Sequence, residues 1–340
     1  MHLKGFIIGC VLLSLSGCAS IIAHEITRAH GSPLKGEDPD VVKRQVCDSK
    51  QYCISRLNLP GYDNKYKRFS LEVDLQIKRK RKIWRFENDA EKGARTKPLT
   101  EHLIIIFPGY HQHADVLTLH QKWLTITTGA DVIVVPSPES SDSFQFGLDF
   151  TAPLLAEIQR LQPKAVHLVG FSMGALAAQA VAQHTDNARL YLFAPMTDFA
   201  YSTRALYNMG YKDKFYTAFI SPKTLDEAIQ IVYDKSGRTL TDTDLLNHLN
   251  RITSPTFVYA SSADKITSPK AFNAVQNHYI DVTLFEDLIH LEMVSFFSVD
   301  IMSTFVSDLL GRQVPNNETA TLGILCDYKD TDCLSQIPED

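Results

Sequence analysis

The sequence predicts an α/β body: a doubly wound, mostly parallel sheet with helices on both faces. Three observations carry that expectation. Six short apolar runs, at residues 103–107, 132–135, 166–169, 190–193, 256–260 and 282–285, recur with helical or loop segments between them. Strands that are apolar at nearly every position are buried on both faces, and their alternation with helices is the pattern of a parallel sheet. The third observation is a turn, Gly170-Phe171-Ser172-Met173-Gly174, between the apolar run 165–169 and the Ala-rich, helix-forming stretch 175–182.

Taken in chain order, the first residues read as a secretory signal: Lys4, an apolar stretch from Phe6 to Leu15, then Ser16 and Gly17 ahead of Cys18. The stretch falls short of the roughly 20 apolar residues that span a bilayer. Leu15-Ser16-Gly17-Cys18 resembles the lipobox of bacterial lipoproteins, which implies that residues 1–17 are removed and Cys18 is lipidated. With Ala19 next rather than an aspartate, the resemblance implies the outer membrane, with the body facing the periplasm. Residues 18–66 hold Gly, Pro and charges with little periodicity, and read as a lipidated tether followed by a small Cys-containing extension.

The α/β body is expected over residues 67–312. Residues 69–74 and 82–86 read as a hairpin whose solvated tip is the basic run Lys78-Arg79-Lys80-Arg81-Lys82. The spacing of apolar runs breaks once, between 193 and 256, where about sixty residues stand, twice what one crossover helix needs. That insert, about 198–252, carries aromatics from Tyr201 to Phe219 and a helical stretch over 225–233. It is expected to cap the carboxyl ends of the strands, where open α/β sheets bind ligands. Residues 313–340 form a further extension.

Beyond Cys10 and Cys18 the cysteines fall into two close pairs, Cys47 with Cys53 and Cys326 with Cys333. Export to an oxidising compartment implies disulfides. Three connectivities are open, local pairing being the simplest. The formal net charge of −5 lacks the basic excess that nucleic-acid binding calls for. No dinucleotide glycine fingerprint is present, so no cofactor is expected. His111 and His113 lack a carboxylate or thiolate companion nearby, so no metal is expected either.

A serine hydroxyl is a weak nucleophile near neutrality and needs an adjacent base, itself held by a third group. Asp264 follows the run 256–260, and His290 follows the run 282–285. Both loops leave a parallel sheet at the edge that carries the glycine turn, so both are expected to converge on Ser172. Asp198 also follows a strand and is a rival for the acid, whereas Glu286 and Asp287 read as loop charges.

From about residue 69 to residue 311 the chain resembles the α/β-hydrolase superfamily, and within it the serine esterase, monoglyceride-lipase and lysophospholipase branch. The G-x-S-x-G elbow at 170–174 is the specific match; Asp264 and His290 match in order and placement. The resemblance implies Ser172 as nucleophile, His290 as general base and later acid, and Asp264 as the group that orients the imidazole. It also implies an oxyanion hole made by the backbone N–H groups of Met173 and Tyr110. The family carries a His-Gly pair before the second donor, and this chain has Pro108-Gly109, which leaves that donor open between Tyr110 and His111.

The implied activity is hydrolysis of carboxylic esters of lysophospholipid, monoglyceride or thioester type, by a protein held to a membrane through its lipid. Two alternatives stand beside it. One is a serine aminopeptidase of the same fold, with cap carboxylates such as Asp213, Asp226, Glu227, Asp234, Asp242 and Asp244 available to bind an amine. The other is a non-catalytic envelope binding protein. The oligomeric state is not legible.

Overall fold

Leu103 to Phe107 is apolar at every position, and in the structure every one of those side chains is buried. The structure, a computed structural model, describes residues 17–29, 31, 41–50, 53–60, 68–77, 80–89, 98–141, 143–217, 220–295, 298–314 and 324–327. Helix α1 covers residues 17–27. Strands β1 (Val41–Cys47) and β2 (Cys53–Pro60) follow, then β3 (Arg68–Ile77) and β4 (Lys80–Asp89). The alternating body begins with β5 (Leu103–Phe107), α2 (Thr118–Thr128), β6 (Asp131–Val134), α3 (Thr151–Leu161), β7 (Val166–Phe171), α4 (Gly174–Ala182) and β8 (Ala188–Phe193). The insert holds α5 (Phe199–Gly210), α6 (Pro222–Ser236) and α7 (Leu245–Leu249). The chain returns with β9 (Thr256–Ser261), β10 (Ile280–Phe285), α8 (His290–Ser295), α9 (Val299–Leu310) and β11 (Ile324–Asp327).

Each of the six apolar runs became a strand. They pair in parallel in the order β6-β5-β7-β8-β9-β10. Because side chains alternate across a strand, each strand feeds two cores. Ile104 and Ile106 of β5 enter one with Phe305 and Leu309 of α9. Leu103, Ile105 and Phe107 enter the other with Ala178 and Val181 of α4. Two buried faces hold β6, β5, β7, β8 and β9 in one register, since a slip of one residue would exchange the two side-chain sets. The run 282–285 departs from the expectation of a buried strand: β10 is the edge of the sheet, and its Val282 and Leu284 are exposed.

The insert is helical, and α6 contains the stretch 225–233 that the sequence marks as a helix. Ser221 caps α6 through the amide of Thr224, Pro222 fills its first turn, and Gly237 ends it in the left-handed region at φ +63°. Phe219, one of the expected cap aromatics, lies outside the described residues.

Two stretches that read as extensions carry regular structure. Strands β1 and β2 form an antiparallel hairpin that joins the β6 edge through Asn58 and Val134, extending the sheet to eight strands. Cys47 and Cys53 face each other in that hairpin and form a disulfide. Val46 and Ile54 reach the core below. Arg44 pairs with Glu157 of α3, which Arg160 also grips at 2.7 and 2.8 Å. Burial alone would raise the Glu157 carboxyl, but its two guanidinium partners outweigh that and hold it below the usual range. The expected hairpin is β3–β4, but most of the basic run is not at its tip: Lys80, Arg81 and Lys82 open β4 and pair with Ile77, Gln76 and Leu75 of β3. Strand β11 adds to the hairpin to make a separate three-stranded sheet. Lys78, Arg79 and Cys333 lie outside the described residues, and Cys326 lies on β11.

One carboxyl in this frame gives a pH signature. Asp149, in the short 3-10 turn Leu148–Phe150, keeps its Oδ1 enclosed without a hydrogen-bond partner among the described residues. Burial pushes its pKa up from 3.8 to about 6, against the smaller pull of Ser141 and Arg238. A raised carboxyl pKa means that the folded state binds the proton more tightly. The cost of ionising Asp149 is therefore absent at low pH and grows as pH rises from 3.8 to about 6. Asp149→Asn is expected to stabilise the protein by about 1–2 kcal/mol at pH 8 and by nothing measurable at pH 4. Denaturant unfolding at the two pH values checks this, and an equal effect at both would show that ionisation is not the cause.

Candidate active site

Strand β7 delivers Ser172 and helix α4 leaves just after it, so the turn between them must be tight. Ser172 has φ +47°, in the left-handed region that a non-glycine residue enters at a cost. Three backbone hydrogen bonds hold it there: its N–H donates to Phe193 O at 2.9 Å, and its carbonyl accepts from Met196 N–H at 3.0 Å and Ala175 N–H at 3.2 Å. Gly174 permits the close approach, since a Cβ there would stand 2.3 Å from the carbonyl oxygen of Phe107. The start of α4 is thus pressed against the end of β5.

The other two residues arrive as the parallel order requires. Asp264 sits in the loop after β9 and His290 opens α8 after β10, at the strand ends that carry Ser172. His290 Nε2 lies 3.1 Å from Ser172 Oγ, and its Nδ1 lies 2.7 Å from Asp264 Oδ2. Asp264 is buried and fully engaged. Its Oδ1 accepts from the amides of Ile266 (2.8 Å) and Thr267 (3.1 Å), and its Oδ2 accepts also from the Thr267 hydroxyl at 2.7 Å. Burial alone would raise its pKa. The hydrogen bond and charge of His290, joined by Thr267, outweigh burial and hold the carboxyl below the usual range. It is a fixed carboxylate aimed at one ring nitrogen.

The rival residues are occupied elsewhere. Asp198 is exposed and caps α5, accepting from Tyr201 N–H at 2.8 Å. Glu286 and Asp287 are exposed loop residues. His113 caps the short 3-10 turn Ala114–Leu117 by accepting from Asp115 N–H, and the ring of His111 stacks on Tyr110 with centroids 3.9 Å apart. Among the described residues no group of three His, Cys, Asp or Glu could hold a metal ion. Of the cap carboxylates, Asp226 pairs with Arg204, Asp242 accepts from Thr239 and Asp244 caps α7. None of the six lines the pocket beside Ser172.

No family model matches the sequence, and no curated protein does. Solved structures do. The esterase Pf2001 of Pyrococcus furiosus, in one crystal form, matches with a TM-score of 0.52 at 14% identity, over 85% of this chain and 99% of that one. A second crystal form of the same esterase gives 0.50 at 16% identity, over 84% and 98%. The matching architecture and the parallel sheet of six strands decide the fold. This chain has the α/β-hydrolase fold.

In this chain of α/β-hydrolase fold, the loop after β5 is braced by residues that the sequence did not single out. The Gln112 side chain accepts from Gly109 N–H at 2.8 Å and donates to Val294 O at 2.8 Å. The N–H of His111 donates to the buried Glu139 at 3.1 Å. Between them the N–H of Tyr110 meets no protein acceptor among the described residues, and neither does the N–H of Met173. Tyr110 and Met173 line one pocket of about 140 Å³ with Ser172 and His290. Of the two N–H groups left open by the sequence, that of His111 is thus held by Glu139 and that of Tyr110 is not.

Gln112→Leu keeps the volume but strips both bonds, leaving a backbone donor and a backbone acceptor without their partner. The expected cost is about 1–3 kcal/mol in denaturant unfolding. A variant as stable as the wild type would mean that water replaces the brace freely.

Proposed function

We propose that this protein is a serine hydrolase of carboxylic esters that works through an acyl-enzyme. The observation that carries the reading is the unbroken run of hydrogen bonds from Asp264 through His290 to Ser172 Oγ. Ser172 Oγ attacks the ester carbonyl while His290 Nε2 takes its proton. The N–H groups of Met173 and Tyr110 receive the oxyanion, and such donors count for most because they are fixed before the charge develops. His290 then protonates the departing alcohol, and the same nitrogen activates a water that releases the acid. Asp264 keeps the Nδ1 proton in place and stabilises the imidazolium that forms in both steps. The fold shared with a known esterase and the mainly apolar wall around Ser172 agree with this chemistry.

The preferred substrates in this reading are acyl lipids such as lysophospholipids, monoglycerides or thioesters. Cys18, exposed at the head of α1, is the proposed site of lipidation, with the body held at the outer membrane and facing the periplasm. A fluorophosphonate probe tests the central claim: it should label the wild type, with the mass shift on the peptide that contains Ser172. Absence of labelling, or labelling undiminished in Ser172→Ala, defeats the reading. Faster turnover of aminoacyl anilides than of acyl nitrophenyl esters would favour a peptidase. Palmitate incorporation that Cys18→Ser fails to remove would refute the anchor.

A further inference from the structure

Helix α1 packs onto the body beside the catalytic residues, and the pattern that seats it is simple. Ala19, Ile22, Ala23 and Ile26 recur at i, i+3, i+4 and i+7, so they share one helical face. In the structure that face is turned inward. Ala19 and Ala23 are buried against a cluster that includes Met173, Met196 and Phe199, and Ile22 and Ile26 pack at its margin. The small alanines let the helix lie close, and the isoleucines beside them are left to border open space.

That space has two parts. The pocket of about 140 Å³ that holds Ser172 is bordered by Ile26, Tyr110, Thr203 and Leu206. A second cavity of about 420 Å³ is bordered by the same four residues. The two therefore adjoin across these residues, and we read them as one trough that opens from the nucleophile and runs between α1 and the cap. Its far walls are Ile22 of α1 on one side and Tyr207, Ile220 and Leu225 of the cap on the other. The acid on it, exposed Glu25, is already paired with Arg28 at 3.1 Å. The larger part alone has the volume of an ordinary small-molecule site, about 300–1,000 Å³. An apolar trough that opens on a nucleophile, with its one acid neutralised by a neighbour, fits an uncharged hydrocarbon chain.

We propose that α1 is one wall of a hydrocarbon-chain site, so that the substrate is an ester with a long unbranched chain and α1 takes part in selecting its length. The proposal rests on the reading of Ser172 as the nucleophile. Ile22 and Ile220, on opposite walls, are then specificity-determining residues. The chain in the trough belongs to the acid or to the alcohol of the ester, and separate substrate series tell these apart.

The test uses the full chain. Nitrophenyl esters from acetyl to palmitoyl vary the acid, and alkyl acetates vary the alcohol. In the wild type, kcat/KM is expected to rise roughly 10-fold or more along one of the two series, as each added methylene finds apolar wall. Ile22→Trp and Ile220→Trp, each checked for native melting, should each lower the long-to-short ratio roughly 10-fold by filling the trough. A wild type with no length preference in either series overturns the proposal, whatever the variants do. So does a ratio that responds to Ile220→Trp and not to a folded Ile22→Trp, which would remove α1 from the wall. Hydrolysis that persists in Ser172→Ala is instead the failure of the catalytic reading. Hydrolysis that depends on Ser172 but ignores chain length is the failure of this inference alone.

Discussion

Ser172→Ala and His290→Ala are each expected to lower kcat for a nitrophenyl ester by about 10⁶-fold, and the double variant to lose no more than either. The expectation follows from the 3.1 Å contact between Ser172 Oγ and His290 Nε2. A hydroxyl without its base and a base without its hydroxyl are equally idle, so the two losses describe one device and do not add. Asp264→Asn should cost less, roughly 10⁴-fold, with KM little changed. The asparagine keeps the shape but presents an amide in place of the carboxylate that accepts from Nδ1 at 2.7 Å. The imidazole then turns its lone pair away from Ser172. Steady-state kinetics on purified variants, each with a native melting curve, decide the matter. Losses that multiply in the double variant would show that Ser172 and His290 act independently, and the proposed relay would fall.

Gly174→Ala is the structural counterpart. The added methyl would meet the Phe107 oxygen at 2.3 Å, the Pro108 oxygen at 2.4 Å and the Phe107 carbonyl carbon at 2.7 Å. All three are backbone atoms of the β5 end, which cannot swing aside as a side chain can. Either the elbow lifts or the strand end moves, and both disturb the loop that carries Tyr110. The expected cost is about 3–5 kcal/mol of stability, at the upper end for single substitutions, with loss of ester hydrolysis even where the fold survives. Gly210→Ala is the control, because a Cβ there meets nothing within 4 Å. It should leave activity intact and change stability by about 1 kcal/mol or less. Equal behaviour of the two variants in denaturant unfolding would mean that the elbow tolerates a looser approach than the structure shows.

The parts of the molecule that were legible in the sequence share a physical cause. Strands buried on both faces carry few polar residues, so β5 announced itself as an unbroken apolar run, and β7 and β8 as runs interrupted only by His167, which is buried against His102 and Tyr191, and by the exposed Arg189. The elbow was legible because its backbone demands glycine at positions where side chains would collide. The convergence of Asp264 and His290 on Ser172 followed from parallel order, which sends every such loop to the same edge.

What was not legible depended on contacts between distant residues. The β1–β2 hairpin is held by Val46, Ile54 and the pairing of Arg44 with Glu157, more than a hundred positions away. Its own sequence, with Lys43 and Arg44 inside a strand, does not look like an edge of the sheet. Which N–H of the loop after β5 lacks a protein acceptor depends on Gln112 and Glu139, two polar residues that nothing in a local window marks out. Helix α1 is the instructive case. Its inward face has ordinary helical spacing, but the residues stand just after a signal-like stretch, where a loose tether was the natural expectation.

That placement changes how a lipid on Cys18 would act. Cys18 and Ile26 stand on one continuous helix, about 12 Å apart at the helical rise, with no slack between them. An acyl group there would fasten the protein as a stud and not as a leash. The mouth of the trough would ride at a set height above its own leaflet, able to harvest what that leaflet sheds and denied everything on the facing membrane.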